Sequence, residues 1–176
     1  MSTPKLICIL GAESTGKTTL ARQLAAQFAC PWVPEYLRAF CDERGRTPQR
    51  HEQAQILETQ HRHELAAIAG AAQATPFIFC DTAPITTAIY SDYVFADASL
   101  YARGRTLHAR YALTLLCMPD LGWVADGHQR DGPQAQRGVH ALIERELARA
   151  ALPVAPIHGH GEARFNDAVA ALDRLR

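Results

Sequence analysis

Residues 5–18 read KLICILGAESTGKT, and this stretch decides the fold. Leu6 to Leu10 form a continuous apolar run without alternation, the pattern of a parallel strand covered on both faces. Directly after it, Gly11-Ala-Glu-Ser-Thr-Gly16-Lys17-Thr18 matches G-x-x-x-x-G-K-[ST]. The glycines allow a tight turn, successive backbone N–H groups converge on phosphates, and the start of the next helix adds partial positive charge. Leu20, Leu24 and Phe28 recur every four residues and mark one face of that helix. The predicted nucleotide contacts are Gly11, Ala12, Glu13, Ser14, Thr15, Gly16, Lys17, Thr18 and Thr19. Lys17 would bridge the β- and γ-phosphates and the Thr18 hydroxyl would ligate Mg²⁺, so ATP and Mg²⁺ are the expected cofactors.

Outward from this stretch, short apolar runs alternate with segments of helical period. Further strands are expected over residues 30–33, 76–80, 111–117 and 154–158. The last contains Pro156, which cannot donate to a ladder and places that strand at a sheet edge. Helices are expected over residues 36–70 with a break near 45–48, then 85–91, 100–110, 136–150 and 163–175, with a loop over 92–97. Ala54, Leu57, Leu65 and Ile68 mark the apolar stripe of the long helical stretch. Strands alternating with helices predict a three-layer α/β fold of the P-loop NTPase type, with a five-stranded parallel sheet. One domain over residues 1–176 is expected, with a short lid over about 121–137.

Composition narrows the partners. Eighteen Lys plus Arg balance eighteen Asp plus Glu, so no general field exists to hold a nucleic-acid backbone or an anionic membrane. No apolar run approaches the ~20 residues that span a bilayer, and the N-terminal run is too short for a signal-peptide core. Five scattered cysteines without a Cys-x-x-Cys pair fit buried thiols in a reduced cytoplasmic protein. A nucleotide and a small molecule are the expected partners; the oligomeric state is open.

The remaining chain must say which kind of phosphate-loop protein this is. No Asn-Lys-x-Asp guanine reader occurs, and a motor ATPase would need more chain. Asp81 ends an apolar strand on the rim where ligands bind, and would hold Mg²⁺ directly or through water, or cap the next helix. Glu35 ends the second strand on the same rim, and Glu35 or Asp81 would orient a substrate hydroxyl and accept its proton, with Tyr36 and Arg38 against the substrate. Between the fourth strand and its helix, residues 123–137 would close over the phosphates, bringing Arg130 and Arg137 to the transferring group. Tyr90, Tyr93, Phe95 and Tyr101 would line a pocket or pack the rim. His158 to Gly161 would pass the adenine or form a plain loop. His61 is expected to pack partly in the apolar stripe.

The pieces GAESTGKTTLARQLA (11–25), PEYLRAF (34–40), DTAPITTAIY (81–90) and WVADG (123–127) resemble, in order, the ribosylnicotinamide kinase domain of the NadR family. The resemblance implies ATP- and Mg²⁺-dependent phosphorylation of the 5′-hydroxyl of nicotinamide riboside, giving nicotinamide mononucleotide. It carries the phosphate-loop residues, Asp81, Glu35, Tyr36 and Arg38 into that activity. Two alternatives stay open: a kinase of another nucleoside or small alcohol, and a sensor module that binds and slowly hydrolyses ATP.

Overall fold

A computed structural model describes residues 3–72, 75–122 and 132–175. Strands β1 (Lys5–Leu10), β2 (Trp32–Val33), β3 (Phe77–Asp81), β4 (Leu113–Cys117) and β5 (Val154–Ile157) form one parallel sheet in the order β2-β3-β1-β4-β5. The helices are α1 (Lys17–Phe28), α2 (Tyr36–Arg44), α3 (Gln53–Gly70), α4 (Pro84–Phe95), α5 (Tyr101–His108), α6 (Gly132–Ala150) and α7 (Gly161–Asp173), with one 3₁₀ turn at Arg50–Glu52.

Two cores account for the unbroken apolar run of the first strand. Ile7 and Ile9 pack with Phe77, Phe79, Leu115 and the helices α1 and α7. Leu6, Cys8 and Leu10 face the other way, into a core built with α4 and α6. A strand buried on both faces has no solvent side to mark with polar residues. This is a three-layer α/β fold of the P-loop NTPase class, helices on both sides of a five-stranded parallel sheet. Pro156 lies in β5, the edge strand, where its missing N–H costs no ladder bond. All five cysteines are free and buried. Among the described residues, no helix is long and apolar enough to cross a membrane.

Three expectations need correction. Of the stripe expected on α3, Leu57 is buried and Ile68 packs against the core, but Ala54 and Leu65 lie outside it. Ala54 is exposed and Leu65 is 47% exposed, while Gln53, Ile56, Leu57, Thr59, Gln60 and Glu64 are buried. Counting only apolar residues missed a face on which Thr59, Gln60 and Glu64 accept hydrogen bonds. The loop expected over residues 92–97 is mostly helix, because no glycine or proline interrupts α4 before Ala96. There Ala96 turns left-handed (φ 53°) and the Asp97 N–H returns to the Ser91 carbonyl, a Schellman closure. Helix α6 begins four residues before the expected position, with Pro133 in its first turn, where a missing N–H is harmless.

Glu64 shows what the polar face of α3 does. It is 0% exposed and accepts hydrogen bonds from Tyr111 Oη at 2.5 Å and Arg110 Nη2 at 2.5 Å. Burial pushes its carboxyl up to about 7, against the opposing pull of both donors. A carboxyl raised on folding gives stability that is full below pH 4.5 and is lost as pH rises through about 7. Urea unfolding at pH 5 and pH 8 should therefore show the wild type losing on the order of 2 kcal/mol more than Glu64→Gln across that interval.

Candidate active site

The site grows from the end of β1. Gly11 passes so close to β4 that a Cβ there would sit 2.8 Å from the Cys117 carbonyl oxygen. Gly16 takes φ 77° as it caps α1, and Ser14 takes φ 55°, a left-handed strain that a binding loop tolerates. Side chains draw the loop carbonyls outward. Lys17 Nζ and Thr15 Oγ1 each donate to Ala12 O at 2.8 Å. Gln136 Nε2 donates to Glu13 O at 2.7 Å, and Arg164 Nη1 donates to Thr15 O at 2.9 Å. In a planar trans peptide the N–H points opposite to the C=O, so the amides of Ser14 and Gly16 turn away from α6 and α7, whose side chains hold the carbonyls before them. That is the concavity a polyphosphate needs.

Parallel pairing of β1 with β3 sets Ile9 beside Asp81, which brings Asp81 to the start of α1. The Thr18 hydroxyl donates to Asp81 Oδ2 at 2.6 Å. Asp81 Oδ1 is buried with no hydrogen-bond partner among the described residues. Burial raises the Asp81 carboxyl above its usual range, opposed by the Thr18 bond and by the charges of Lys17, Arg38 and Arg22. An orphaned carboxylate oxygen beside a hydroxyl is a hard-oxygen donor set, and it fits Mg²⁺. Asp81 does not cap α4; Ala83 holds that position, and Thr82 bonds Thr86 at 2.9 Å instead.

A cavity of about 550 Å³ opens over the loop, within the size range of small-molecule sites. Its wall includes Glu13, Lys17, Thr18, Thr19, Glu35 and Arg38, so the two ends of the sequence reading meet in one cleft. Arg22 lines it too, its guanidinium 5.2 Å over the Trp32 ring. The sequence reading missed Arg22, although it stands one turn after Thr18 on the same helix face. Tyr36 is not part of that wall: its ring packs against Phe40 and His63. Arg137 is exposed on α6 and is not among the lining residues either. Arg130 and most of the expected lid, residues 123–131, lie outside the described residues.

A second cavity of about 450 Å³ adjoins the first, and Glu13 and Tyr90 line both. Tyr90 Oη donates to Glu13 Oε1 at 3.3 Å. Leu37, Val94 and Phe95 give this cavity an apolar wall, and Gln49 and Gln53 add amides. The rim aromatics thus divide: Tyr90 and Phe95 line it, whereas Tyr101 is buried and bonds Asp92 at 2.9 Å.

Arg164 is another residue the sequence reading missed. It is 4% exposed and donates to Gly159 O at 2.9 Å and Met118 O at 3.0 Å, besides Thr15 O, and pairs with Asp120. One guanidinium thereby ties the phosphate loop to the ends of β4 and β5. The signal was available: Arg164, Ala168, Ala171 and Leu172 form the buried stripe of α7. Asp120 also accepts the Gly159 N–H at 2.8 Å, so the 158–161 turn is braced beside the loop.

The sequence profile of the AAA domain family matches residues 6–164. A NadR protein in complex with NAD and AMP-PNP superposes with a TM-score of 0.81 at 23% identity, over 98% of this chain and 49% of that one. A NadR protein in complex with NR gives a TM-score of 0.78 at 21% identity, over 98% of this chain and 51% of that one. Thymidylate kinase from Ehrlichia chaffeensis gives 0.70 at 14% identity, over 99% of this chain and 100% of that one. The chain spans about half the length of the two NadR chains it matches.

Proposed function

This chain belongs to the AAA domain family, and from that premise we propose that it is an ATP- and Mg²⁺-dependent kinase of a nucleoside, nicotinamide riboside first. The product would be nicotinamide mononucleotide, formed on the 5′-hydroxyl. One observation carries the reading: a phosphate cleft and a second, partly apolar cavity adjoin at Glu13 and Tyr90. A kinase needs two such chambers, one for the donor and one for the acceptor. Likeness to NadR bound to NR and to AMP-PNP supports the choice of donor and acceptor.

The loop amides and Lys17 would hold the β- and γ-phosphates, with Lys17 exchanging the Ala12 carbonyl for phosphate oxygen. Thr18 and Asp81 would hold Mg²⁺, which when bound neutralises charge on the phosphate oxygens. Glu35 takes the proton of the acceptor hydroxyl as its oxygen bonds the γ-phosphorus, and the bond from that phosphorus to the bridging oxygen breaks, leaving ADP. Arg38 and Arg22 supply positive charge in the same cleft. Arg130 and Arg137 are assigned to closure of the 121–137 segment over the transferring group. Five free, buried cysteines support a reducing, cytoplasmic setting, and the balanced charge favours small-molecule over nucleic-acid or membrane partners.

The test is ADP release by purified protein with Mg·ATP and a panel of nucleosides and small alcohols. Turnover dependent on nicotinamide riboside supports the proposal. Turnover with another acceptor keeps the kinase and replaces the substrate, whereas slow hydrolysis indifferent to every acceptor overturns the kinase in favour of an ATP-hydrolysing sensor.

A further inference from the structure

A helix begins with four N–H groups that have no partner inside it, and its N-cap side chain usually accepts one of them. Glu35 holds the N-cap position of α2 with extended backbone (φ −65°, ψ 117°), yet its side chain makes no capping bond. Its residue lines the cleft instead. The first amide of the helix is served from elsewhere. Tyr36 N–H donates to Gln60 Oε1, across from α3, at 2.8 Å.

Gln60 is 3% exposed, so this bond is shielded from water, and losing it would strand a buried group. One turn further along α3, Glu64 is locked by Tyr111 and Arg110, which fixes the face that carries Gln60. The Gln60 amide nitrogen lies near enough to help hold the Glu64 charge, though outside hydrogen-bonding geometry. Gln60 and Glu35 also share the wall of a cavity of about 10 Å³ with Thr86 and Thr87, room for about one water.

We propose that Gln60 is a positioning residue for Glu35: capping α2 from outside, it lets the Glu35 carboxylate serve the cleft rather than its own helix. This rests on the kinase reading, in which Glu35 is the base. Gln60 touches no reacting atom and acts only through the backbone next to Glu35. Its removal therefore lowers turnover, leaves ATP binding alone, and matters only while Glu35 is present.

The experiment is a double-mutant cycle of Gln60→Met with Glu35→Gln, read in the nucleoside-dependent assay. Gln60→Met alone should lower kcat about tenfold with KM for ATP changed less than about twofold, and should cost less than about twofold when added to Glu35→Gln. Hydrogen exchange of the Tyr36 amide supplies a readout independent of activity: it should be at least about tenfold faster in Gln60→Met than in the wild type. Should Gln60→Met fail to fold, Gln60→Asn, one methylene shorter, takes its place in both measurements. An equal loss in both backgrounds, or a Tyr36 amide as protected without the acceptor as with it, overturns this inference alone. A Glu35→Gln enzyme of undiminished rate removes the base and this inference with it.

Discussion

Lys17→Ala should lower phosphoryl transfer by ~10³-fold or more while the protein stays folded. Lys17 is a surface-accessible side chain at the start of α1 whose one described bond is to the Ala12 carbonyl, at 2.8 Å. Removing it costs the fold one partly exposed hydrogen bond, worth about 1 kcal/mol. The loop keeps its shape because Thr15, Gln136 and Arg164 still hold its carbonyls. What is lost is a fixed positive charge beside the phosphates, and among the described residues no other ammonium lines that cleft. Turnover in the nucleoside assay and the urea midpoint, measured on the same preparation, check both halves. Wild-type turnover in this variant would refute the phosphate-loop assignment.

Glu35→Gln should lower kcat by about 10²- to 10⁴-fold and leave ATP affinity within about threefold. Glutamine keeps the shape of the side chain and its place in the cleft but cannot take a proton at neutral pH. Because Glu35 makes no capping bond to α2, the exchange does not weaken that helix start. The contrast between kcat and ATP affinity separates a base from a residue that merely shapes the nucleotide site. An unchanged kcat would move the base role to Asp81, a second carboxylate beside Thr18, whose Oδ1 lacks a partner among the described residues.

The part of the site built from neighbouring residues was legible in the sequence, because short spacing and local geometry enforce one another there. A strand, a turn needing φ > 0 at Gly16, and a helix start with Lys17 and Thr18 leave the backbone few alternatives. The placement of Asp81 was legible for a similar reason: an apolar strand ending in a carboxylate, in a parallel sheet, delivers that carboxylate to the rim. Glu35 and Arg38 reach the same cleft, while Tyr36, adjacent to Glu35, packs on Phe40 and His63. Adjacent helical residues point roughly 100° apart, so a motif read as one block divides in space.

Buried polar side chains escaped because hydropathy cannot price them. Gln60, Glu64, Gln136 and Arg164 each occupy an inward helix face, and each hydrogen-bonds a partner at least 24 positions away in sequence. Read locally, each looks like a solvated residue. Burial is tolerated only because the distant partner supplies the hydrogen bond that water would have made.

The sequence by itself determined the strand–loop–helix that turns backbone amides toward an anion, and the alternation that makes the sheet parallel. These follow from steric limits and periodicity within a few residues of chain. Tertiary structure alone decided that Asp81 takes the Thr18 hydroxyl, that a second cavity adjoins the phosphate cleft at Glu13 and Tyr90, and that Gln60 caps the helix behind Glu35. Each of those depends on sheet order and helix packing, where the free energy of a contact is set by which distant groups are brought together and shut off from water.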